Sequence, residues 1–175
     1  MTNHGMKPKI ELGVNIAIAF AILVIAGVLV KRTFFAEQAK QPTIEAQAQQ
    51  LLGTRITVPG ADWAQTKKSL VIILKKDCIY CDAVAPTYRQ LIGEAEKANV
   101  KLIAILPNSL QVGREYVQAL GLPIENVQAG VLASYKIPGT PSVLVVDAEG
   151  IVRGVWIGAE PGREQEMLAK LVSLL

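Results

Sequence analysis

The feature that most constrains the fold is a pair of cysteines placed directly after a buried-strand pattern. Residues 70–74 are apolar, rich in β-branched side chains and unalternated, which predicts a strand buried on both faces. After the cysteines, apolar side chains recur at helical spacing, at Val84, Tyr88, Leu91, Ile92 and Ala95. Cys78 and Cys81 are therefore expected where a strand ends and a helix begins. The free N–H groups of a first helical turn stabilise a thiolate there.

Three other interpretations of the cysteine pair fit the sequence less well. A structural zinc site needs about four ligands. The only other Cys or His in the sequence is His4, on the far side of an apolar segment, so the sequence does not favour zinc. A structural disulfide across so short a loop removes little unfolded-state entropy. Lys75, Lys76 and Asp77 indicate a partly solvated site rather than two inert buried thiols. A redox-active pair without a metal is therefore favoured.

Residues 12–30 carry no charge, and at about 1.5 Å rise per residue they match a bilayer core of about 30 Å. A cleaved signal peptide has a shorter apolar region that runs into a small-x-small site, whereas here the charged and bulky residues 31–35 intervene. A buried core helix is seldom apolar all round. The sequence thus predicts an uncleaved single-pass anchor at residues 12–31, preceded by a short flank at 1–11. Basic residues on both sides leave its orientation undetermined.

The segment after the anchor, residues 32–53, predicts a partly helical linker, because residues 36–53 are rich in Gln and Ala. Residues 54–175 then predict one domain of about 120 residues, enough for a single core without extra disulfides. Its predicted elements are a short edge strand at 55–58, a strand at 100–106, a helix from Val112 that ends at Gly121, a helical turn at 131–135, strands at 142–146 and 151–157, and a closing helix after Pro161. Together with the strand–cysteine–helix unit they predict an α/β fold, a mixed central sheet flanked by helices.

The charge pattern excludes one class of partner. The 18 basic and 15 acidic residues are spread along the chain, and aromatic residues make up only 5%. A nucleic-acid-binding protein concentrates basic residues on one surface and interleaves them with aromatic ones. We therefore expect no nucleic-acid partner.

A second candidate site element, residues 137–141 (IPGTP), precedes the third buried strand. A proline at the start of a strand often serves only as an edge or turn residue, and X–Pro bonds are mostly trans. The functional alternative is a cis Thr140–Pro141 bond that faces the cysteines. In that case the backbone of Thr140 is free to pair with an extended peptide.

Taken together, these motifs resemble the thioredoxin superfamily. The resemblance rests on Cys-x-x-Cys at a helix start, Ala85-Pro86 within that helix, and Thr140-Pro141 before a β-hairpin. The run Gly-Thr-Pro, strand, Asp-x-x-Gly, strand, together with the anchor, is similar to the TlpA/ResA-like branch, the membrane-tethered thiol–disulfide oxidoreductases of bacteria. The resemblance covers about residues 53–175 and implies a thioredoxin-like fold at 54–175.

The resemblance also implies roles for individual residues. Cys78 is expected to attack as the thiolate and Cys81 to resolve the mixed disulfide. Thr140 and Pro141, with Tyr80, are the expected substrate-binding residues. No prosthetic group is expected, because the electrons reside in the cysteine pair. The implied partners are cysteine-containing client proteins and a thiol redox donor or acceptor. The implied location is the cytoplasmic membrane, with the domain on the periplasmic or extracytoplasmic side.

The sequence departs from the family pattern around the cysteines. Family members usually carry an aromatic residue before the first cysteine, where this chain has Asp77, and thioredoxin has a buried acid six residues before it, where this chain has Ile72. Between the two cysteines, family members usually carry Gly-Pro or Pro-Pro, where this chain has Ile79-Tyr80. We expect Lys75 and Lys76 to favour the Cys78 thiolate and Asp77 to oppose it.

Two alternative functions remain open at this point. The first is a peroxiredoxin-like thiol peroxidase. Such enzymes carry a Thr/Ser-x-x-Cys motif, and this chain has Lys75 at the position three before Cys78, which counts against this alternative. A tethered copper(I) carrier is the non-enzymatic alternative, because two soft thiolates bind that ion. No methionine or histidine lies nearby in the sequence to support it.

Overall fold

The computed structural model describes the backbone of residues 7–38 and 42–175, and the side chains of residues 13–32 and 42–175. The chain divides into two units, Met1–Pro42 and Thr43–Leu175. Residues 1–6 of the predicted flank, including His4, and residues 39–41 of the predicted linker lie outside the described residues.

The first unit contains one long helix, α1 (Lys7–Gln38). By length and composition, its stretch Gly13–Arg32 is a candidate membrane span, and the side chains of that stretch are exposed. The sequence placed the anchor at residues 12–31, one residue from these bounds at each end. The helix continues beyond the apolar stretch into the predicted linker.

The second unit is an α/β domain whose described residues form a five-stranded mixed sheet in the order β3-β2-β1-β4-β5. The strands β1, β2 and β3 run parallel, and β4 is antiparallel to both β1 and β5. The elements are α2 (Ile44–Leu51), β1 (Lys68–Ile73), α3 (Ile79–Lys97), β2 (Lys101–Leu106), α4 (Leu110–Ala119), β3 (Val127–Ala129), β4 (Ser142–Asp147), β5 (Val152–Ile157) and α5 (Glu164–Val172). Short 3-10 turns lie at Trp63–Gln65 and Leu132–Tyr135.

The core lies on both faces of the sheet. Alternate side chains of the first strand region separate into two clusters, because successive residues of a strand point to opposite faces. Leu70 and Ile72 join a helix-side cluster with Tyr88 of α3 and Met167 of α5. Val71 and Ile73 join a second cluster on the opposite face, with Leu51, Ile56, Val58, Tyr135 and Ile137. Burial on both faces explains why this strand shows no polar alternation.

Three elements differ from the sequence prediction. Residues 55–58 form no strand: only Arg55 pairs, in a single antiparallel bridge with Ile151, while Ile56 and Val58 turn into the second cluster. β3 was not predicted, because three residues are too few to show a period. Residues 44–51, placed in the linker by sequence, form α2, whose Leu51 is buried in that cluster, so the compact unit begins at Thr43 rather than residue 54.

Candidate active site

Cys78 lies at the junction between the first strand and its following helix. It is the N-cap residue of α3, and its sulfur accepts a hydrogen bond from the backbone N–H of Cys81 at 3.3 Å. Asp77, just before it, has φ of 60°, in the left-handed region that Asp tolerates better than most residues. This turn brings the chain from β1 into α3 with the Cys78 sulfur directed at the first helical turn.

The two cysteines and Thr140 meet at this helix start. The Cys81 thiol donates to the Cys78 sulfur across 2.6 Å, and both cysteines are free thiols. The Thr140 hydroxyl donates to the Cys78 sulfur at 3.6 Å, and the Thr140 carbonyl oxygen lies 3.7 Å from that sulfur. The Thr140–Pro141 bond is cis, as the functional alternative for this motif predicted. The loop before β4 and the start of α3 thus form one site.

The surface around the sulfurs is partly open and apolar. Cys81 is buried, whereas Cys78 is half-buried. The two residues between them are exposed, Ile79 by 76% and Tyr80 by 59%. Such side chains at the helix start leave a contact surface for a partner directly beside the accessible sulfur.

Comparison with known proteins agrees with this geometry. Residues 38–155, more than half of the chain, match the AhpC/TSA family. The chain belongs to this family. Comparison with curated proteins finds no match.

Solved structures place this family member in the thioredoxin-like fold. A thiol:disulfide interchange protein from a Bacteroides species is 17% identical, with a TM-score of 0.53 over 70% of this chain and 90% of that one. A putative thiol:disulfide interchange protein DsbE from Chlorobium tepidum is 17% identical, with a TM-score of 0.50 over 69% and 95%. A thiol-disulfide isomerase from Corynebacterium glutamicum is 15% identical, with the same TM-score over 69% and 97%. At such identities the similarity establishes the fold.

The environment of Cys78 in this AhpC/TSA-family chain favours its thiolate. Burial opposes ionisation, but hydrogen bonds from the Cys81 thiol, from the Thr140 hydroxyl and from the backbone N–H groups of Cys81 and Tyr80 outweigh it, so the pKa of Cys78 lies below its ordinary value. The charges of Lys75, Lys76 and Asp77, which the sequence analysis expected to tune this pKa, are not among these causes. Hydrogen bonding at the helix start, rather than the charge of these neighbours, therefore lowers the pKa of Cys78.

Cys81 has the opposite protonation preference. Burial first, and then its hydrogen bond to the Cys78 sulfur, raise the pKa of Cys81 to about 12. A backbone hydrogen bond from Lys75 partly opposes this rise. As the pH rises, the outer sulfur therefore loses its proton before the inner one, and the outer sulfur is the better nucleophile of the pair.

Two polar contacts and one unpaired hydroxyl near the site were not predicted from the sequence. The Tyr116 hydroxyl donates to a carboxylate oxygen of Asp82 at 2.7 Å, which ties α4 to the first turn of α3. The backbone N–H of Lys76 donates to the side-chain oxygen of Asn108 at 3.3 Å. Tyr88 is buried, and its hydroxyl has no hydrogen-bond partner among the described residues. The helical spacing of apolar residues predicted that Tyr88 is buried. Nothing in the local sequence indicates that its hydroxyl lacks a hydrogen-bond partner.

Replacing Thr140 with valine is expected to raise the pKa of Cys78, because the isosteric change removes the hydroxyl that donates to its thiolate. Thiolate absorbance, followed during a pH titration of the reduced protein, measures this directly. The first titration step should move upward in Thr140→Val, while the Cys81 step stays at high pH. Ser134→Ala, an exposed hydroxyl removed elsewhere, serves as the control. An unchanged first step in Thr140→Val would mean that this hydrogen bond does not form in solution.

Proposed function

We propose that this protein is a membrane-anchored thiol–disulfide oxidoreductase that exchanges disulfides with cysteine-containing proteins through Cys78 and Cys81. The observation that carries the proposal is the pair itself. Two free thiols lie 2.6 Å apart at a helix start, one accessible with a lowered pKa and one buried with a raised pKa. A nucleophile and a resolving thiol need these opposite properties. The AhpC/TSA family and the thioredoxin-like fold support the same chemistry.

The exchange proceeds in two displacements. The Cys78 thiolate forms a bond to one sulfur of the client disulfide, and the other client sulfur leaves as a thiolate that takes up a proton. The Cys81 thiol then loses its proton, and its sulfur attacks Cys78. The bond between Cys78 and the client breaks, and the second client sulfur leaves as a thiolate that takes up the proton lost by Cys81. Two electrons pass from the dithiol to the client, and the steps reverse when the pair starts as a disulfide.

Thr140, Pro141 and Tyr80 are assigned to client binding. The Thr140 carbonyl oxygen lies 3.7 Å from the Cys78 sulfur, and Pro141 offers no N–H of its own. An extended client segment is placed to pair with the Thr140 backbone while its disulfide meets Cys78. Tyr80, exposed beside the sulfur, supplies apolar contact. The client is thus expected to bind on the exposed surface beside Cys78 and not in a deep cavity.

The function is tested by reduction of insulin disulfides with the full-length protein in detergent. A thiol–disulfide oxidoreductase accelerates precipitation of the insulin B chain in the presence of a dithiol. Copper(I) affinity is measured on the same preparation, because tight copper binding without insulin reduction would favour the carrier instead. Lys75, three residues before Cys78, stands where a peroxiredoxin-like site carries Thr or Ser, so peroxide consumption is expected to stay near the uncatalysed rate.

The helix α1 is assigned as an uncleaved anchor in the cytoplasmic membrane, with the catalytic domain on the extracytoplasmic side. Its candidate span Gly13–Arg32 and the bulky, charged residues after it support this assignment. Protease added to intact spheroplasts of an expressing bacterium is expected to digest the domain. A cytoplasmic marker protein should survive the same treatment. Digestion only after lysis would place the domain in the cytoplasm.

A further inference from the structure

Two open cavities lie side by side along the β3 edge of the sheet. The first, about 680 Å³, lies against the segment that contains Arg55 and the turn that contains Lys136. The second, about 560 Å³, lies against Lys75 and Asn108. Both are lined by residues 129–131, so they are adjacent. We refer to the two cavities together as the basic groove.

The basic groove reaches the redox site. Lys75 lines one end of the groove, lies three residues before Cys78, and forms a backbone hydrogen bond with Cys81 of the redox pair. Asn108, at the same end, accepts the hydrogen bond from the backbone of Lys76. A chain segment lying at this end of the groove is therefore close to the cysteine pair, where the proposed exchange takes place.

The charges lining the groove are of one sign. Arg55, Lys75 and Lys136 are exposed, and neither cavity is lined by a carboxylate. Within the part of the chain that the structure describes, none of the three forms an ion pair. Another open cavity, about 1080 Å³, is lined by charges of both signs: Lys101, Arg114, Glu96 and Glu125. The single sign is thus a property of the groove and not of every concave surface.

Among the described residues, the groove also exposes backbone groups that pair with no neighbouring strand. Asn126 and Gly130 direct their backbone groups to β2, where they bond to Ala104 and Leu106. Because successive residues of a strand alternate in direction, the N–H and C=O of Ala129 face away from β2, at the open edge. An extended segment docked there gains main-chain hydrogen bonds in addition to charge contacts.

From these observations we infer that the basic groove binds an extended, acidic segment of the client protein, close in sequence to the client cysteine. The inference rests on the proposed function and specifies its substrate class. Carboxylates of the segment pair with Arg55 and Lys136, and apolar side chains lie on Val131, which is 68% exposed. Docking at the groove raises the encounter rate of the client disulfide with Cys78.

The test uses reduced full-length protein in a neutral detergent and two short peptides. Each peptide carries one cysteine as a mixed disulfide with thionitrobenzoate, flanked by a run of glutamates in one and of glutamines in the other. Release of thionitrobenzoate gives the second-order rate constant. At low salt the native protein should react about tenfold faster with the glutamate peptide, and added salt should remove this preference. The double variant Arg55→Glu/Lys136→Glu should lose the preference and keep its rate with the glutamine peptide.

The matched control is Lys101→Glu/Arg114→Glu, which makes the same change of net charge in the cavity of mixed sign. It should keep the glutamate preference. The proposed role of the groove would be wrong if both double variants lost the glutamate preference equally. It would also be wrong if Arg55→Glu/Lys136→Glu kept that preference. Neutral dithiodipyridine separates this result from the redox proposal. If the native protein reacts with dithiodipyridine but shows no glutamate preference, only the proposed role of the groove is wrong. If the native protein does not react with dithiodipyridine, the proposed function is wrong as well.

Discussion

A Cys81→Ser variant is expected to accumulate covalent adducts with client proteins, whereas Cys78→Ser is expected to form almost none. The outer sulfur is accessible and has a lowered pKa, so it attacks first. The inner sulfur is buried with a pKa raised to about 12, so it acts only on the mixed disulfide already formed at Cys78. Removing the resolving thiol leaves that intermediate without an internal route to breakdown. Both variants should lose nearly all insulin-reducing turnover.

Non-reducing electrophoresis of membranes from cells expressing each variant measures the adducts, and mass spectrometry locates the linked cysteine. The double variant Cys78→Ser/Cys81→Ser controls for adducts formed elsewhere. Serine is close in size to cysteine, so neither change should unfold the domain, and thermal unfolding verifies this. Equal trapping by both single variants would reverse or abolish the assigned roles. Tight copper(I) binding together with an absence of adducts in Cys81→Ser would favour the copper carrier.

The part of the site that could be predicted from sequence is the part built by neighbouring residues. An unalternated strand, a Cys-x-x-Cys pair and a helical repeat lie within one short stretch, so their local patterns place Cys78 at the helix N-cap. Thr140 lies 62 residues away from Cys78, so the local pattern offered its contact with the cysteines only as an alternative, and the family resemblance favoured that alternative. The mixed thioredoxin-like sheet was predicted for the same two reasons, local pattern and resemblance.

The features that could not be predicted depend on contacts between distant segments. The Tyr116–Asp82 hydrogen bond joins two helices, and nothing in either helix alone indicates it. The helix α2 is Gln- and Ala-rich like a linker, and it belongs to the domain because Leu51 reaches the second core cluster. The pKa of Cys78 was expected to follow its charged neighbours, whereas hydrogen bonds at the helix start lower it. The charged residues next to Cys78 can be read from the sequence, whereas the groups that donate hydrogen bonds to its sulfur can be identified only in the structure.

The buried hydroxyl of Tyr88 is expected to destabilise the domain, so Tyr88→Phe should raise the free energy of unfolding. Burial, followed by the negative charge of the cysteine pair, raises the pKa of Tyr88, so the group stays a neutral phenol. A buried polar group without a partner costs about 1–3 kcal/mol, and phenylalanine keeps the ring without the hydroxyl. Tyr88→Ala, in contrast, removes the ring from the helix-side core and should cost about 3–5 kcal/mol, as for other large aromatic residues.

Chemical denaturation of the reduced protein at neutral pH measures both changes, with the full-length chain in detergent and the domain followed by tryptophan fluorescence. Tyr116→Phe is the matched control, because the same atom is removed from a hydroxyl that does have a partner, Asp82. That variant should lower stability, opposite in sign to Tyr88→Phe. If Tyr88→Phe also lowers stability, its hydroxyl is hydrogen-bonded in solution, for example to a buried water beneath Cys81. The sign of the Tyr88→Phe effect therefore tells whether the core under the redox pair is dry.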